Sequence, residues 1–327
     1  MTFGLRLGAR FGGTALIGIL SCLATQQGLS QDSASVSQQE APAPVKFVAY
    51  NLKNYLKMDR RVGGEFLENA PKPETEVGKV VEFLVAIHPD VIGVCEIGSE
   101  ADLADLQSRL KAAGLDLPYS EWADAADSVR HVAALSRFPF SAKDHQTKLR
   151  YQMDGKEFEF HRGILDATVQ VNADYKLRLL GTHLKSKREV KEGDQALMRR
   201  NEAHLLRTHL ETILKANPDE NVIMYGDFND TRNETPIKVL QGKFSSDTYM
   251  RDIQVADEDG HRWTYYWSYA DIYSRFDFAF VSKGLYPEIV QEKSYIFADP
   301  DWFTASDHRP LVISVSPKNV EEGSPRK

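Results

Sequence analysis

Cysteine is almost absent from the 327 residues: Cys22 and Cys95 are the only two, too few for a disulfide framework. A surplus of positive charge is missing as well, since 47 acidic residues outnumber 40 basic ones for a net charge of −7. This excludes a uniformly basic nucleic-acid-binding surface, so a polyanionic substrate must be held by a local basic patch or a metal ion. Long hydrophobic runs are lacking too. The apolar run from Ala15 to Ala24 is shorter than the ~20 residues that span a bilayer.

That run follows Arg6 and Arg10 and reads as the apolar region of an export signal, residues 1–24, with cleavage after Ala24 or Ser30. An alternative is a lipoprotein signal ending at residue 21, because Ile19-Leu20-Ser21-Cys22 loosely resembles a lipobox; only then would a lipid on Cys22 tether the protein to a membrane. Residues 25–44 are rich in Gln, Ser, Ala and Pro with almost no large apolar side chain, which predicts a flexible linker. Residues 317–327 read as a polar tail. The expected location is periplasmic or extracellular.

With 42% hydrophobic residues, a sizeable core is available, and residues 45–316 show no internal repeat or second linker. Strand-length apolar runs recur at Val45 to Tyr50, Val91 to Cys95, Val132 to Ser136, Ile164 to Val171, Leu177 to Thr182, Val222 to Tyr225, Phe278 to Val281 and Leu311 to Val315. Helical spacing marks Val77 to Ile87, Leu103 to Leu110 and Leu197 to Leu214. Adjacent strands mixed with surface helices predict an α+β sandwich rather than a doubly wound sheet.

Polar residues cluster at the ends of these strands: Asn51, Glu96, His183, Asp227 with Asn229, and Asp307 with His308. Singly, each has a structural explanation as a turn former, cap or surface residue. Together, carboxylates, amides and two histidines at strand ends suit an oxygen-ligated hard cation and acid–base chemistry, whereas zinc would call for a close Cys/His cluster.

The ordered segments Tyr-Asn-Leu-Lys-Asn (50–54), Cys-Glu-Ile (95–97), Thr-His-Leu-Lys-Ser-Lys (182–187), Gly-Asp-Phe-Asn-Asp (226–230), Arg-Phe-Asp-Phe (275–278) and Ser-Asp-His-Arg-Pro (306–310) resemble the motifs of the deoxyribonuclease-I-like endonuclease/exonuclease/phosphatase superfamily. In motifs the chain is most similar to the secreted bacterial nucleases of that group. The resemblance implies a four-layer α/β/β/α sandwich and Mg²⁺-dependent phosphoester hydrolysis, with Mn²⁺ as a substitute. It also implies Glu96, Asn51 and Asp307 as the metal residues. By the same resemblance Asp227 orients or deprotonates water, Asn229 positions it, Asp277 fixes the tautomer of His308, and His183 stabilises phosphoryl charge or protonates the leaving oxygen. Whether Asp227 or His308 takes the proton stays open.

The expected partner is a phosphodiester substrate, nucleic acid first, with no stable protein partner. A sphingomyelinase-like or small-molecule phosphatase activity is the enzymatic alternative, and a catalytically silent binding module the other. AP endonucleases resemble one another in placing Tyr and Asn where this chain has Leu180 and His183, which argues against abasic-site cleavage. Pancreatic-type nucleases pair the histidine corresponding to His183 with a glutamate near residue 130, where Val129-Arg130-His131 supplies no carboxylate. Arg130, Lys185 and Lys187 are candidate phosphate contacts, and Lys185, Lys187, Arg188, Arg199 and Arg200 form the best basic cluster. Trp263, Tyr265, Tyr266, Trp267 and Tyr269 read as partly core or as a wall against bases or lipids.

Overall fold

A computed structural model describes residues 43–317. The expected export signal with Cys22, most of the expected linker and nearly all of the expected tail lie outside the described residues. The chain opens with β1 (Val45–Tyr55), a hairpin of β2 (Met58–Val62) and β3 (Glu65–Ala70), then α1 (Glu74–Ile87) and β4 (Val91–Ile97). Next come α2 (Glu100–Ala112), β5 (Tyr119–Ala123), β6 (His131–Ser136), β7 (Phe140–Lys143) and a second hairpin, β8 (Arg150–Met153) with β9 (Lys156–Glu159). The second half runs β10 (Leu165–Gln170), β11 (Lys176–His183), α3 (Gln195–Ala216), β12 (Val222–Asp227), α4 (Thr235–Gln241) and β13 (Arg251–Asp252). A third hairpin, β14 (Tyr265–Trp267) with β15 (Ile272–Ser274), precedes β16 (Asp277–Val281), β17 (Tyr295–Ile296), α5 (Trp302–Ala305) and β18 (Leu311–Val315).

Two six-stranded sheets result, ordered β17-β18-β1-β4-β6-β5 and β13-β16-β12-β11-β10-β7. Strand periodicity decides how they stack, because alternate side chains leave opposite faces. Val45, Phe47 and Ala49 of β1 join Leu177 and Leu179 of β11 and Tyr225 of β12 in one core between the sheets. The other face of the first sheet, with Val48, Tyr50 and Leu52, meets Val80, Leu84, Leu103 and Leu106 of α1 and α2. The second sheet likewise buries Leu180, Met224 and Phe280 against Leu206, Leu210 and Ile237 of α3 and α4. These three cores define an α/β/β/α sandwich, as the sequence resemblance implies.

Local chemistry sets the helix starts. Ser99 and Asp102 form a capping box at α2, and Asp194 accepts the amides of Ala196 and Leu197 at α3. Between the sheets, Tyr225 packs edge-on against Phe47, with ring centroids 4.9 Å apart. A methyl group at Gly181 would lie 2.5 Å from the Tyr225 hydroxyl, and one at Gly93 would lie 2.1 Å from the ring. These glycines leave the room that the aromatic ring needs.

Candidate active site

The strands reach further than their apolar runs, and this brings the polar residues onto the sheets themselves. In the second sheet His183 is paired across from Asp227 in parallel register, and Asp227 is paired across from Asp277 in antiparallel register. Laterally paired residues share a face, so three polar side chains from three strands form one row, each almost fully buried. Asn229, two residues beyond β12, has φ 51°. Its amide donates to Asp227 Oδ1 at 2.9 Å, and its Nδ2 donates to the Leu184 carbonyl at 3.0 Å.

The first sheet supplies the facing rim. Asn51 Nδ2 donates to Asp227 Oδ2 at 3.0 Å, joining the sheets by a buried hydrogen bond. Glu96 sits where the β4 ladder shifts register between Cys95 and Ile97, with φ 60°, and this bulge turns its carboxylate to accept the Asn54 amide at 2.9 Å. Ahead of β18, Ser306 Oγ donates to the Asn51 carbonyl and accepts the His308 amide. Asp307 stands beside His308, its carbonyl held by the Tyr266 amide.

His308 Nδ1 lies 2.7 Å from Asp277 Oδ2, and its Nε2 lies 3.6 Å from Asp227 Oδ2. His183 Nε2 is 3.5 Å from that same oxygen, and its buried Nδ1 has no hydrogen-bond partner among the described residues. The two imidazoles differ in charge. Burial works against a cationic His308, but the carboxylates of Asp277 and Asp227 outweigh it and lift its pKa to about 10. For His183, burial and then the charges of Arg162, His308, Arg130 and Lys185 push the pKa well below the usual imidazole range. The His183–Asp227 contact is therefore no ion pair at neutral pH. Burial, with repulsion from Asp277 and Glu96, raises Asp227 to about 7 against the pull of His308.

Crowding of Glu96, Asp227 and Asp277, whose mutual repulsion helps to raise the Asp227 pKa, is the arrangement that a hard cation relieves. Asp227, Asp277 and His308 each offer a ligand atom within 4.8 Å of the others, yet His308 Nδ1 and Asp277 Oδ2 already bond to each other. Among the described residues the Glu96 carboxylate accepts one hydrogen bond, from the Asn54 amide. Glu96, Asn51 and Asp307 carry oxygen donors of the kind a hard divalent ion takes.

The three candidate phosphate contacts part company. Lys187 lines a cavity of about 600 Å³ beside Asn229, with Arg188, Tyr265, Trp267, Ile272 and Phe276, while its ammonium donates to Asp230 Oδ1 at 2.7 Å. Lys185 is buried, its ammonium directed to Ser186 Oγ and the Arg188 carbonyl, and it faces a different cavity. Arg130 donates through Nε to Asn54 Oδ1 at 2.7 Å. The basic cluster needs a correction: Arg199 is no solvated cation but lies 2.9 Å from buried Asp230 and holds the Lys185 carbonyl. Trp263 and Tyr265 pack inward, the latter stacking on Phe276 and against His308, while Trp267 and Tyr269 are exposed.

Arg162 was not anticipated. It sits 3.0 Å from Asp127 and exerts the largest charge effect on His183. The rule that located His183 and Asp227, a polar residue at the end of an apolar run, also marks it, since it directly precedes Gly163-Ile164-Leu165. Asp127 is the carboxylate nearest the Val129-Arg130-His131 segment, but it is engaged by Arg162 and by the amides of Val129 and Arg130.

Residues 62–308 match the model of the Endonuclease/Exonuclease/phosphatase family. The chain belongs to that family, whose enzymes are divalent-metal-dependent phosphoric ester hydrolases. No curated protein matches. Similar solved structures include truncated Caenorhabditis elegans TDP2, at 17% identity and TM-score 0.54, covering 84% of this chain and 97% of that one. Staphylococcus aureus beta toxin is 16% identical with TM-score 0.58 over 82% and 99% of the two chains. Sphingomyelinase C from Streptomyces griseocarneus is 14% identical with TM-score 0.54 over 84% and 100%. At these identities the likeness speaks for the fold.

Proposed function

We propose that the protein is an exported Mg²⁺-dependent phosphodiesterase that cleaves nucleic acid. The observation that carries this reading is the convergence of His183, His308 and Asn51 on one oxygen of Asp227, beside a cavity that Asn229 shares with the rings of Tyr265, Trp267 and Phe276 and with Lys187 and Arg188. Rings that stack on bases beside cations that meet phosphates are what a nucleic-acid strand requires.

Glu96, Asn51 and Asp307 would hold Mg²⁺, with Mn²⁺ as a substitute. When bound, the ion neutralises phosphoryl oxygens. Asp227 accepts the proton of the attacking water, because its Oδ2 is the oxygen on which Asn51, His183 and His308 converge. As the water oxygen bonds to phosphorus, the ester bond to the leaving oxygen breaks, and that oxygen takes its proton from solvent. His308, kept cationic by Asp277, donates to a phosphoryl oxygen and so cannot serve as the base. Neutral His183 donates a hydrogen bond, not a proton, to charge developing on the phosphoryl group. Asn229, its Nδ2 fixed on Leu184, offers its Oδ1 to orient the water.

A second reading, hydrolysis of a phospholipid head group, is favoured by the aromatic tip of the β14–β15 hairpin, where Tyr269 is 90% exposed. One panel separates the two: plasmid DNA, RNA, sphingomyelin and inositol phosphates with the purified protein, Mg²⁺ or Mn²⁺, and EDTA controls. Diester cleavage of nucleic acid that stops in EDTA is expected. Metal-independent turnover, or full activity in Asp227→Ala and His308→Ala, overturns the mechanism; turnover of monoesters alone overturns the nuclease reading.

A further inference from the structure

Asn54 connects Glu96 to a part of the molecule that the chemistry above does not use. Its amide is the hydrogen-bond donor to Glu96, and it lies where the end of β1 bulges out of register between Asn51 and Tyr55 into a tight turn of the strand, with both Lys53 and Asn54 left-handed at φ 48° and 59°. Two consecutive non-glycine residues in that region relax unless the surroundings hold them. At the start of the turn, the Lys53 amide donates to Asn51 Oδ1 at 3.0 Å. The far side is held by cations. Arg60 Nη2 forks onto the carbonyls of Asn54, at 2.6 Å, and Leu56, at 2.7 Å, while its Nε donates to Ala70 at 3.2 Å. Lys72 Nζ takes the Lys53 carbonyl at 3.1 Å, and Arg130 Nε takes Asn54 Oδ1 at 2.7 Å.

Arg60 belongs to the β2–β3 hairpin, a two-stranded sheet with no third strand. A lone hairpin of this kind is marginal by itself, and its apolar side chains Val62, Phe66 and Leu67 are exposed. Its polar link to the body of the protein runs through Arg60, onto the turn that faces Glu96. We propose that Arg60 is a positioning residue for the site: together with Arg130 and Lys72 it sets the Lys53–Asn54 turn, whose amide fixes the Glu96 carboxylate for the metal. Arg130 then acts on the metal side by holding Asn54, rather than as a free phosphate contact. The inference rests on the reading of Glu96 as a metal ligand.

The test is calorimetric titration of Mn²⁺ into the purified protein, comparing wild type, Glu96→Gln, Arg60→Ala, Arg60→Lys and Asn54→Gly, with melting temperatures recorded without metal. Loss of a residue that orients a ligand weakens metal affinity by roughly 10- to 100-fold, and this is expected for Arg60→Ala with KM for substrate little changed. Arg60→Lys restores little, because a single ammonium nitrogen cannot hold the Asn54 and Leu56 carbonyls and also replace the separate Nε bond to the Ala70 carbonyl. Asn54→Gly keeps the amide and tolerates the positive φ but loses the Arg130 contact, so it also binds Mn²⁺ more weakly; it carries the test if Arg60→Ala does not fold. Wild-type affinity in folded Arg60→Ala, or in Asn54→Gly where that variant carries the test, overturns the inference while the role of Glu96 stands. Unchanged Mn²⁺ binding in Glu96→Gln, or none in wild type, removes the underlying reading and the inference with it.

Discussion

His183, at the end of β11, and His308, in the segment ahead of β18, present their Nε2 atoms to a single oxygen, Asp227 Oδ2, at 3.5 and 3.6 Å. Their environments drive them to opposite charge states. Asp277 makes one a cation, and burial among arginines keeps the other neutral. A site of this kind handles a proton without moving a side chain.

Replacing Asp277 by Asn removes the carboxylate charge that opposes the burial of His308. The His308 pKa is then expected to fall from about 10 toward or below the ordinary imidazole value, as followed by ring-proton NMR of the metal-free protein. Phosphodiester turnover should drop about 10²- to 10⁴-fold. An unchanged His308 titration would show that Asp277 does not control it.

Glu202, fully buried in α3, accepts the Lys185 amide at 2.6 Å. Burial raises its pKa to about 7 against the pull of Arg162, the Lys185 amide and ammonium, and Arg199. The folded protein thus binds this proton more tightly than the unfolded chain. Its contribution to stability is full below pH 4.5 and is lost as pH climbs through about 7. Glu202→Gln keeps an acceptor without the charge, so it should match wild type at pH 4.5 and exceed it by roughly 1–3 kcal/mol at pH 8. Equal denaturation midpoints at pH 8 would count against the buried charge.

The buried hydroxyl of Tyr225 has no hydrogen-bond partner among the described residues. Tyr225→Phe should leave stability unchanged or raise it by up to about 1 kcal/mol, since it removes an unsatisfied polar group. Gly181→Ala forces the ring aside and should cost about 1–3 kcal/mol, with partial recovery in the double variant. Thermal unfolding of the three proteins checks the set; a large loss in Tyr225→Phe alone would mean that the hydroxyl is paired.

Trp267, half exposed at the cavity mouth, offers a stacking face. Trp267→Ala is expected to lower kcat/KM on a single-stranded oligonucleotide roughly 5- to 100-fold, while bis(p-nitrophenyl) phosphate, which does not reach the wall, is cleaved as before. Equal losses on both substrates would place Trp267 in support of the reaction centre instead.

The eight apolar runs all fall on strands, and Asn51, Glu96, His183, Asp227, Asn229, Asp277 and His308 gather at one rim, because runs of buried residues mark where strands end and which polar residues stand there; the strand order of the two sheets was not legible in them. Three hairpins escaped notice for a physical reason. β2–β3, β8–β9 and β14–β15 carry mixed, largely exposed residues, as in Arg60-Arg61-Val62, and none holds a continuous apolar run; the alternation of Trp263, Tyr265, Trp267 and Tyr269 is present but too short to mark a two-stranded ribbon. The fate of cations was equally hidden: Arg199 and Lys187 share buried Asp230, a pairing that spans two distant segments and leaves no trace in local spacing.

The row of His183, Asp227 and Asp277 across three hydrogen-bonded strands has a kinetic corollary. Residues paired laterally in one sheet hold their alignment as long as the ladder beside them stays closed, so the three side chains share their order with the second sheet. Heating should leave catalytic competence intact until the second sheet melts, and the activity and unfolding curves should fall together. The amides of β12 should then be among the slowest in the molecule to exchange with deuterium.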